Sequence, residues 1–161
     1  MFEFSCKTAD DTKSLARAIG AAVKGGEVLE FSSDLGGGKT TFVKGLAEGM
    51  LVKNVVQSPT FTISQIHKGG RGLELHHFDF YRLQDAGVMS AELAESLAQT
   101  NAIVAVEWGE IVHDVLPAER MSISLAVADD DETRIVRIAV PTKYDHIREA
   151  LTHYQQERKI A

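Results

Sequence analysis

The sequence has little cysteine, no long apolar run and a deficit of positive charge. Cys6 is the only cysteine, which excludes an intramolecular disulfide and a thiolate cluster for zinc. No apolar run is long enough to span a bilayer. The N-terminal segment MFEFSCKTADD has no basic start followed by an apolar stretch, so neither a secretory signal nor a membrane segment is predicted. These absences favour the cytoplasm as the compartment.

The charge balance also narrows the class of partner. The formal net charge is -6, from 17 Lys and Arg against 23 Asp and Glu. This argues against broad wrapping of nucleic acid, which relies on cations that neutralise phosphates. A local basic patch, or an indirect role in RNA chemistry through a partner protein, stays open. With 161 residues, 44% hydrophobic and 25% charged, the composition predicts one globular domain over residues 1–161.

The first third of the chain alternates helix, strand and helix. Residues 7–26, KTADDTKSLARAIGAAVKGG, show a helical apolar face and end in two glycines. Thr8 and Asp11 have the spacing of a capping box, in which each side chain reaches the other's backbone N–H. The strand-like run EVLEF follows, then a glycine-rich loop, then the helical segment TTFVKGLAEGM. We therefore expect a strand, a glycine loop and a helix in direct succession.

The rest of the chain predicts two hairpins around a buried strand. Two strand-like runs flank KGGRG as a hairpin, and GVMSAELAESLAQT reads as a helix. The apolar run AIVAV is typical of a buried central strand. MSISLAV and RIVRIAV alternate apolar and polar residues and are joined by an acidic turn, and TKYDHIREALTHYQQERK predicts a closing helix. The sum is an α/β fold, a single P-loop NTPase-like domain with a mixed β-sheet flanked by helices.

The glycine loop, FSSDLGGGKTTF, is one residue away from a nucleotide-binding pattern. That pattern is Gly, four residues, then Gly-Lys-Ser/Thr, in which backbone N–H groups surround phosphates, Lys adds a charge and the hydroxyl ligates Mg²⁺. Ser33 stands where the first Gly is usual, and serine serves there unless the position needs a positive φ. The alternative is a plain connecting loop. The candidate nucleotide-binding residues are Ser33, Asp34, Leu35, Gly36, Gly37, Gly38, Lys39 and Thr40.

Two acids are candidate partners of this loop, because hydrolysis needs an acid beside Mg²⁺ and a group that positions water. Glu107 ends the apolar strand AIVAV, at the sheet edge where α/β folds bind ligands. Asp79 lies near another strand end, in HHFDFYRL. Either acid could hold the metal while the other orients water, and each alone could be a solvated strand-end acid. Thr60, after Pro59, is a candidate switch-like Mg²⁺ or phosphate contact or an ordinary turn residue.

Four further residues stand near these acids in the sequence. Trp108 is a candidate to stack on the base, to form the rim of the site or to fill the core. Arg82 is a candidate phosphate or partner contact, with a surface salt bridge as the default. His76 and His77 would point to opposite faces of a strand, which argues against a joint metal site and favours structural roles. The absence of Asn-Lys-x-Asp, which commonly reads guanine, favours ATP.

Together these motifs resemble the bacterial TsaE (YjeE) family. DLGGGKTTFVKGL, SPTFT, HFDFYRL and VEW occur in that family's order and spacing, and the resemblance runs from the first helix through Trp108. The family's loop usually reads Gly-Asp-Leu-Gly-Ala-Gly-Lys-Thr, so Ser33 replaces the first Gly and Gly37 replaces Ala. Phe80 replaces a Leu, and Gly109 stands where the family often has Pro or Ala.

The resemblance implies a small cytoplasmic ATPase that uses ATP and Mg²⁺. Such proteins act with a TsaB–TsaD pair to make N6-threonylcarbamoyladenosine at position 37 of tRNAs that read codons starting with A, and tRNA is contacted indirectly. Lys39 and Thr40 match the family's phosphate and Mg²⁺ contacts, and Asp79 and Glu107 match its functional acids. Thr41, Thr60 and Trp108 also match positions of the family; we count Thr41 and Trp108 among the candidate nucleotide-binding residues and Thr60 among the candidate metal ligands.

Three functions remain open from the sequence. The first is partner-stimulated ATP hydrolysis. The second is a docking or regulatory module whose ATP occupancy matters and whose hydrolysis is incidental. The third is a small-molecule kinase, which the lack of a separate acceptor-binding or lid segment disfavours. No oligomeric state is predicted.

Overall fold

This computed structural model describes residues 1–160, which form a seven-stranded mixed sheet with flanking helices. The strand order is β1-β7-β6-β2-β5-β4-β3. The central strands β6, β2, β5 and β4 are parallel, and β1, β7 and β3 join antiparallel at the edges. This confirms the predicted mixed sheet. The strands are β1 (Phe2–Cys6), β2 (Val28–Ser32), β3 (Ser64–Lys68), β4 (Glu74–Asp79), β5 (Ala102–Glu107), β6 (Met121–Val127) and β7 (Arg134–Ala139).

Helices cover both faces of the sheet. One core cluster joins α1, α2 and α4 to side chains such as Ile103 and Ala105 of β5. The other joins α3 to Val104 and Val106, the alternate residues of the same strand. All six β5 residues are buried, as a strand between two helical layers requires. The helices are α1 (Ala9–Ala22), α2 (Lys39–Gly49), α3 (Val88–Ala98) and α4 (Asp145–Ile160), with short 3₁₀ turns at Gly109–Val112 and Thr142–Tyr144.

The α1–α2 pair is fixed by a cap and by a close approach. The predicted capping box is confirmed: Asp11 N donates to Thr8 Oγ1 at 3.1 Å, and Thr8 N donates to Asp11 Oδ2 at 3.0 Å. Where α2 crosses α1, a Cβ added at Gly45 would lie 2.4 Å from the Lys13 carbonyl oxygen. Glycine is therefore required there for the two helix backbones to approach. This contact sets the position of α2, whose first turn follows the glycine loop.

The structure adds one strand to the predicted set. β1, with the sequence FEFSC, pairs antiparallel with β7 at the edge of the sheet. The sequence did not lead us to expect it, although Phe2, Phe4 and Cys6 alternate with polar residues, which is the period of a strand. Within residues 1–160, no helix combines the length and the apolar character that crossing a bilayer would need.

Candidate functional site

The glycine loop, residues 33–38, connects the end of β2 to the start of α2. Gly36 has φ +77° and Gly38 has φ +104°, so both occupy the left-handed region that favours glycine. Gly38 caps α2, whose helical residues begin at Lys39. Ser33 is not among the described residues with a positive φ. The backbone at position 33 therefore accepts a serine, as the sequence argument required.

Lys39 is buried and folded back against its own loop. Its Nζ donates to Ser33 Oγ at 2.7 Å, to the Ser33 carbonyl at 3.1 Å and to the Asp34 carbonyl at 3.3 Å. The same Nζ lies 4.5 Å from the ring centroid of Trp108, a cation–π distance. Burial lowers the pKa of Lys39, and the negative charges of Glu107 and Asp79 oppose that shift. The loop therefore contains a desolvated ammonium group close to two acids.

Asp79 is held by hydroxyl and backbone donors. Thr60 Oγ1 donates to Asp79 Oδ2 at 2.6 Å, and Ser58 Oγ lies 3.2 Å from the same oxygen. Asp79 Oδ1 accepts from the backbone N–H of Tyr81 at 3.0 Å. The Asp79 side chain is 3% exposed. The structure thus brings together two of the predicted site residues, Thr60 and Asp79, and adds Ser58 to them.

Glu107 is held by a buried histidine. His77 Nε2 and Glu107 Oε1 are 2.8 Å apart, and both residues are buried. Because an ionised carboxylate only accepts hydrogen bonds, Nε2 carries the proton, while Nδ1 of His77 has no partner within the described residues. His76 turns to the opposite face, where its Nδ1 lies 2.8 Å from Ser96 Oγ. The prediction that the two histidines face opposite sides of the sheet is confirmed.

The two acids meet at the carboxyl edge of the parallel strands. Asp79 of β4 is in register with Glu107 of β5. Both line a cleft of about 450 Å³ between the glycine loop and the turn that contains Thr60. The cleft is lined by Leu35, Gly36, Gly37, Gly38, Lys39, Thr40, Thr41, Ser58, Thr60, Phe61, Asp79, Tyr81, Arg82, Glu107 and Trp108.

Two predicted residues lie beside this cleft instead of in it. Ser33 and Asp34 line a neighbouring cavity between the loop and β6, and Trp108 borders both spaces. Trp108 packs against Tyr81, with ring centroids 5.0 Å apart. At the mouth of the cleft the Arg82 guanidinium lies 4.6 Å from the ring centroid of Phe61. The arginine therefore contacts an aromatic ring and not the acid of a surface salt bridge.

The donor set of the cleft fits a nucleotide phosphate with a hard divalent cation. Loop N–H groups, the N-terminus of α2 and the Lys39 ammonium are suited to an anion. Hydroxyl and carboxylate oxygens are the ligands that Mg²⁺ prefers, together with phosphates. Among the described residues no cluster of three His, Cys, Asp or Glu side chains could hold a metal by itself. A cation here would thus depend on Thr40, Thr60 and phosphate oxygens as well as the acids.

Sequence reasoning missed three contacts of the site: Ser58 with Asp79, His77 with Glu107, and Tyr81 with Trp108. For His77 a signal was present, because it lies two residues before Asp79 and therefore points to the same face of β4. Ser58 and Tyr81 depend on how the turn and the strand end fold back on the acids, which no local pattern records.

Several known proteins are similar to this chain in sequence and in fold. The family model described as threonylcarbamoyl adenosine biosynthesis protein TsaE matches residues 6–136. The tRNA threonylcarbamoyladenosine biosynthesis protein TsaE of Bacillus subtilis is 38% identical over 146 residues, covering 90% of each chain. The Aquifex aeolicus protein of the same name is 40% identical over 110 residues, covering 67% of this chain and 77% of its own.

A solved structure agrees with these sequence matches. The crystal structure of Bacillus subtilis YdiB superimposes with a TM-score of 0.76 at 33% identity, and the match covers 96% of this chain and 95% of that one. The likeness therefore includes the sheet, its flanking helices and the loop–strand edge that carries the cleft. The chain belongs to the TsaE family of threonylcarbamoyladenosine biosynthesis proteins.

Proposed function

We propose that this protein binds ATP with Mg²⁺ in the cleft and hydrolyses it weakly unless partners complete the site. In this proposal it acts with a TsaB–TsaD pair in the N6-threonylcarbamoyladenosine modification of tRNA. The observation that carries the proposal is the convergence of Lys39, Asp79 and Glu107 on one cleft beside a helix N-terminus. Burial of two acids and a lysine at one edge of the sheet costs desolvation energy, and such groups cluster at functional sites more than at plain connecting loops.

The glycine loop and the first residues of α2 would hold the phosphates. Backbone N–H groups of residues 36–38 and the N-terminus of α2 provide donors for an anion. Lys39 adds the positive charge, and the hydroxyls of Thr40 and Thr41 line the same wall. Trp108 and Tyr81 pack together and line the cleft, where the Trp108 ring also contacts the Lys39 ammonium. Bound Mg²⁺ would supply neutralisation of the phosphate charge during transfer.

The hydrogen bonds favour different roles for the two acids. Asp79 has both oxygens engaged, by Thr60 and Ser58 on one side and the Tyr81 N–H on the other. A carboxylate fixed in this way is suited to hold a cation together with Thr40 and Thr60. Glu107 has Oε1 held by His77, which leaves Oε2 to accept a hydrogen bond from water. We assign cation binding to Asp79 and water orientation to Glu107.

The charge of the chain supports an indirect contact with tRNA. At a net charge of -6, the protein has few free cations with which to neutralise an RNA backbone. An ATPase that works through partner proteins needs no such surface. Weak activity in isolation follows if a partner supplies a missing group at the cleft mouth, as P-loop proteins gain activity from a group provided in trans.

Calorimetry and turnover test this proposal. Mg²⁺-ATP binding should be lost in Lys39→Ala, and it should lose its dependence on Mg²⁺ in Asp79→Asn. Glu107→Gln should still bind ATP while turnover in the presence of the TsaB–TsaD pair falls by about a hundredfold or more. Equal turnover by all variants, with or without the pair, would refute the proposal.

A docking module is the second candidate, and the exposed rim favours it. Phe61 is 83% exposed and Leu35 71% exposed beside the cleft, where nucleotide occupancy could order them against a partner. Glu107→Gln distinguishes the two functions. Full modification over many turnovers by this variant supports docking, and loss of modification supports hydrolysis. Phosphate transfer to a small acceptor would instead indicate a kinase.

A further inference from the structure

We propose that Ser33 is a positioning residue whose hydroxyl binds the Lys39 ammonium in competition with a phosphate and thereby weakens nucleotide binding. The inference rests on the proposed function, because it requires that the Lys39 ammonium leave Ser33 when it binds a phosphate of the nucleotide. It also gives a structural reason for Gly37, because the Ser33 side chain fills the space over that residue.

The hydrogen bonds around Lys39 carry the first step. The ammonium group has three N–H donors, and its three acceptors are Ser33 Oγ, the Ser33 carbonyl and the Asp34 carbonyl. Ser33 Oγ itself donates to the Asp34 carbonyl at 2.9 Å, so its lone pairs are turned toward Lys39. The two carbonyls would be present with any residue at position 33. The hydroxyl is therefore an additional acceptor that a phosphate oxygen has to replace.

The space over Gly37 carries the second step. A Cβ added at Gly37 would lie 2.6 Å from Ser33 Oγ and 2.7 Å from Ser33 Cβ. Gly37 is not among the described glycines with a positive φ, so its backbone would accept alanine if the space were free. The serine side chain occupies the volume that a side chain at position 37 would need. Ser33 and Gly37 are thus coupled, because a side chain at one position excludes a side chain at the other.

Ser33 lies outside the cleft, so its effect on nucleotide affinity can be measured apart from that of the residues that line the cleft. Ser33 lines the neighbouring cavity and not the cleft that contains Thr40, Asp79 and Glu107. Removing its hydroxyl leaves those cleft residues in place. A change in nucleotide affinity on removing this hydroxyl would therefore act through the contacts it makes, which are those with Lys39 and with the Asp34 carbonyl.

The first experiment measures Mg²⁺-ADP and Mg²⁺-ATP binding by calorimetry for the wild type, Ser33→Ala and the control Ser32→Ala. The control removes a neighbouring hydroxyl that has no hydrogen bond to Lys39 among the described contacts. We expect Ser33→Ala to bind both nucleotides roughly three- to tenfold tighter, the net contribution of one ordinary hydrogen bond, because Lys39 keeps its two carbonyl acceptors in the variant. We expect Ser32→Ala to match the wild type.

The outcomes separate this inference from the proposed function. Affinities equal within twofold, or weaker binding by Ser33→Ala, would overturn the inference and leave nucleotide binding standing. No binding by any variant would refute the proposed function and the inference with it.

The second experiment needs no nucleotide. Because Lys39 Nζ lies 4.5 Å from the ring of Trp108, the only tryptophan, Ser33→Ala should change the fluorescence of the free protein and Ser32→Ala should not. Thermal unfolding of Gly37→Ala, Ser33→Gly and the double variant then tests the shared space. We expect Gly37→Ala to lower the unfolding midpoint in the serine background and to have little effect in the glycine background. Unchanged fluorescence, or an equal drop in both backgrounds, would contradict the proposed contact.

Discussion

The buried pair of His77 and Glu107 gives the sharpest test of the site's construction. His77→Leu would remove the donor that lies 2.8 Å from Glu107 Oε1 and leave a 3% exposed carboxylate without it. A hydrogen bond to a charged group contributes about 1.5–3 kcal/mol, and when a buried charge loses its partner, its desolvation penalty is no longer offset. We expect the free energy of unfolding to fall by about 3 kcal/mol. For a chain of this length that corresponds to a midpoint roughly 6–12 °C lower.

The assay pairs urea unfolding with ATP turnover, and His76→Leu is the matched control. His76 is the adjacent residue, equally buried, but it faces the other side of the sheet, where it contacts the Ser96 hydroxyl and, at 3.3 Å, the partly exposed carboxylate of Glu74. His76→Leu should lower stability by about 1–2 kcal/mol and leave turnover unchanged, whereas His77→Leu should lower both. Proportional losses of stability and turnover in the two variants would indicate a general core defect.

A second substitution tests the electrostatic part of the reasoning. In the His77→Leu background, Glu107→Gln replaces a charge that has lost its hydrogen-bond donor with a neutral amide, which is less costly to bury. We expect it to restore about 1–2 kcal/mol of the lost stability. No recovery would refute the argument that the carboxylate charge makes His77 necessary.

Three other predictions concern stability. Burial lowers the pKa of Lys39, so its charge destabilises the fold fully below the folded-state pKa, and this destabilisation disappears as pH rises above the unfolded-state pKa. Thermal unfolding should therefore show Lys39→Met more stable than the wild type at pH 7, and the difference in midpoint should close toward high pH. Glu27 accepts two backbone N–H groups and a histidine while 1% exposed, so Glu27→Ala should cost about 2–4 kcal/mol in urea unfolding, against less than about 1 kcal/mol for the exposed Glu3→Ala. Gly45→Ala gains about 1 kcal/mol of helix propensity, but its methyl group would clash with the Lys13 carbonyl. We expect the clash to outweigh the gain and to lower the unfolding midpoint by several degrees, at about 2–4 °C per kcal/mol. An unchanged midpoint would show that the two helices separate freely.

Local patterns predicted most elements of the fold. The capping box of Thr8 and Asp11, the hairpin around KGGRG and the buried run of β5 each depend on residues close in sequence. The closing helix predicted for TKYDHIREALTHYQQERK is confirmed as α4, with Ile147 and Leu151 buried and Tyr144 in the short turn before it. The edge strand β1 was missed because five residues with weak alternation become a strand only when β7 pairs with them.

The site was predictable in its residues but not in its contacts. Lys39, Thr40, Asp79 and Glu107 follow from the loop pattern and from the positions of strand ends, and the structure places all four on one cleft. The roles of the acids could not be separated from the sequence, since both end parallel strands. Their hydrogen-bond partners, which distinguish them, come from other segments.

Residues that are close along the chain suffice to specify an α/β protein with a glycine loop between a strand and a helix, because glycine placement, caps and apolar periodicity act over a few residues. Packing of the whole sheet is needed to set β4 parallel to β5 with Asp79 opposite Glu107, and to bring His77 to Glu107. The same packing folds the Lys39 ammonium, which lines the cleft, back onto Ser33. These contacts depend on strand register and side-chain rotamers, which packing of the whole sheet sets and no local pattern encodes.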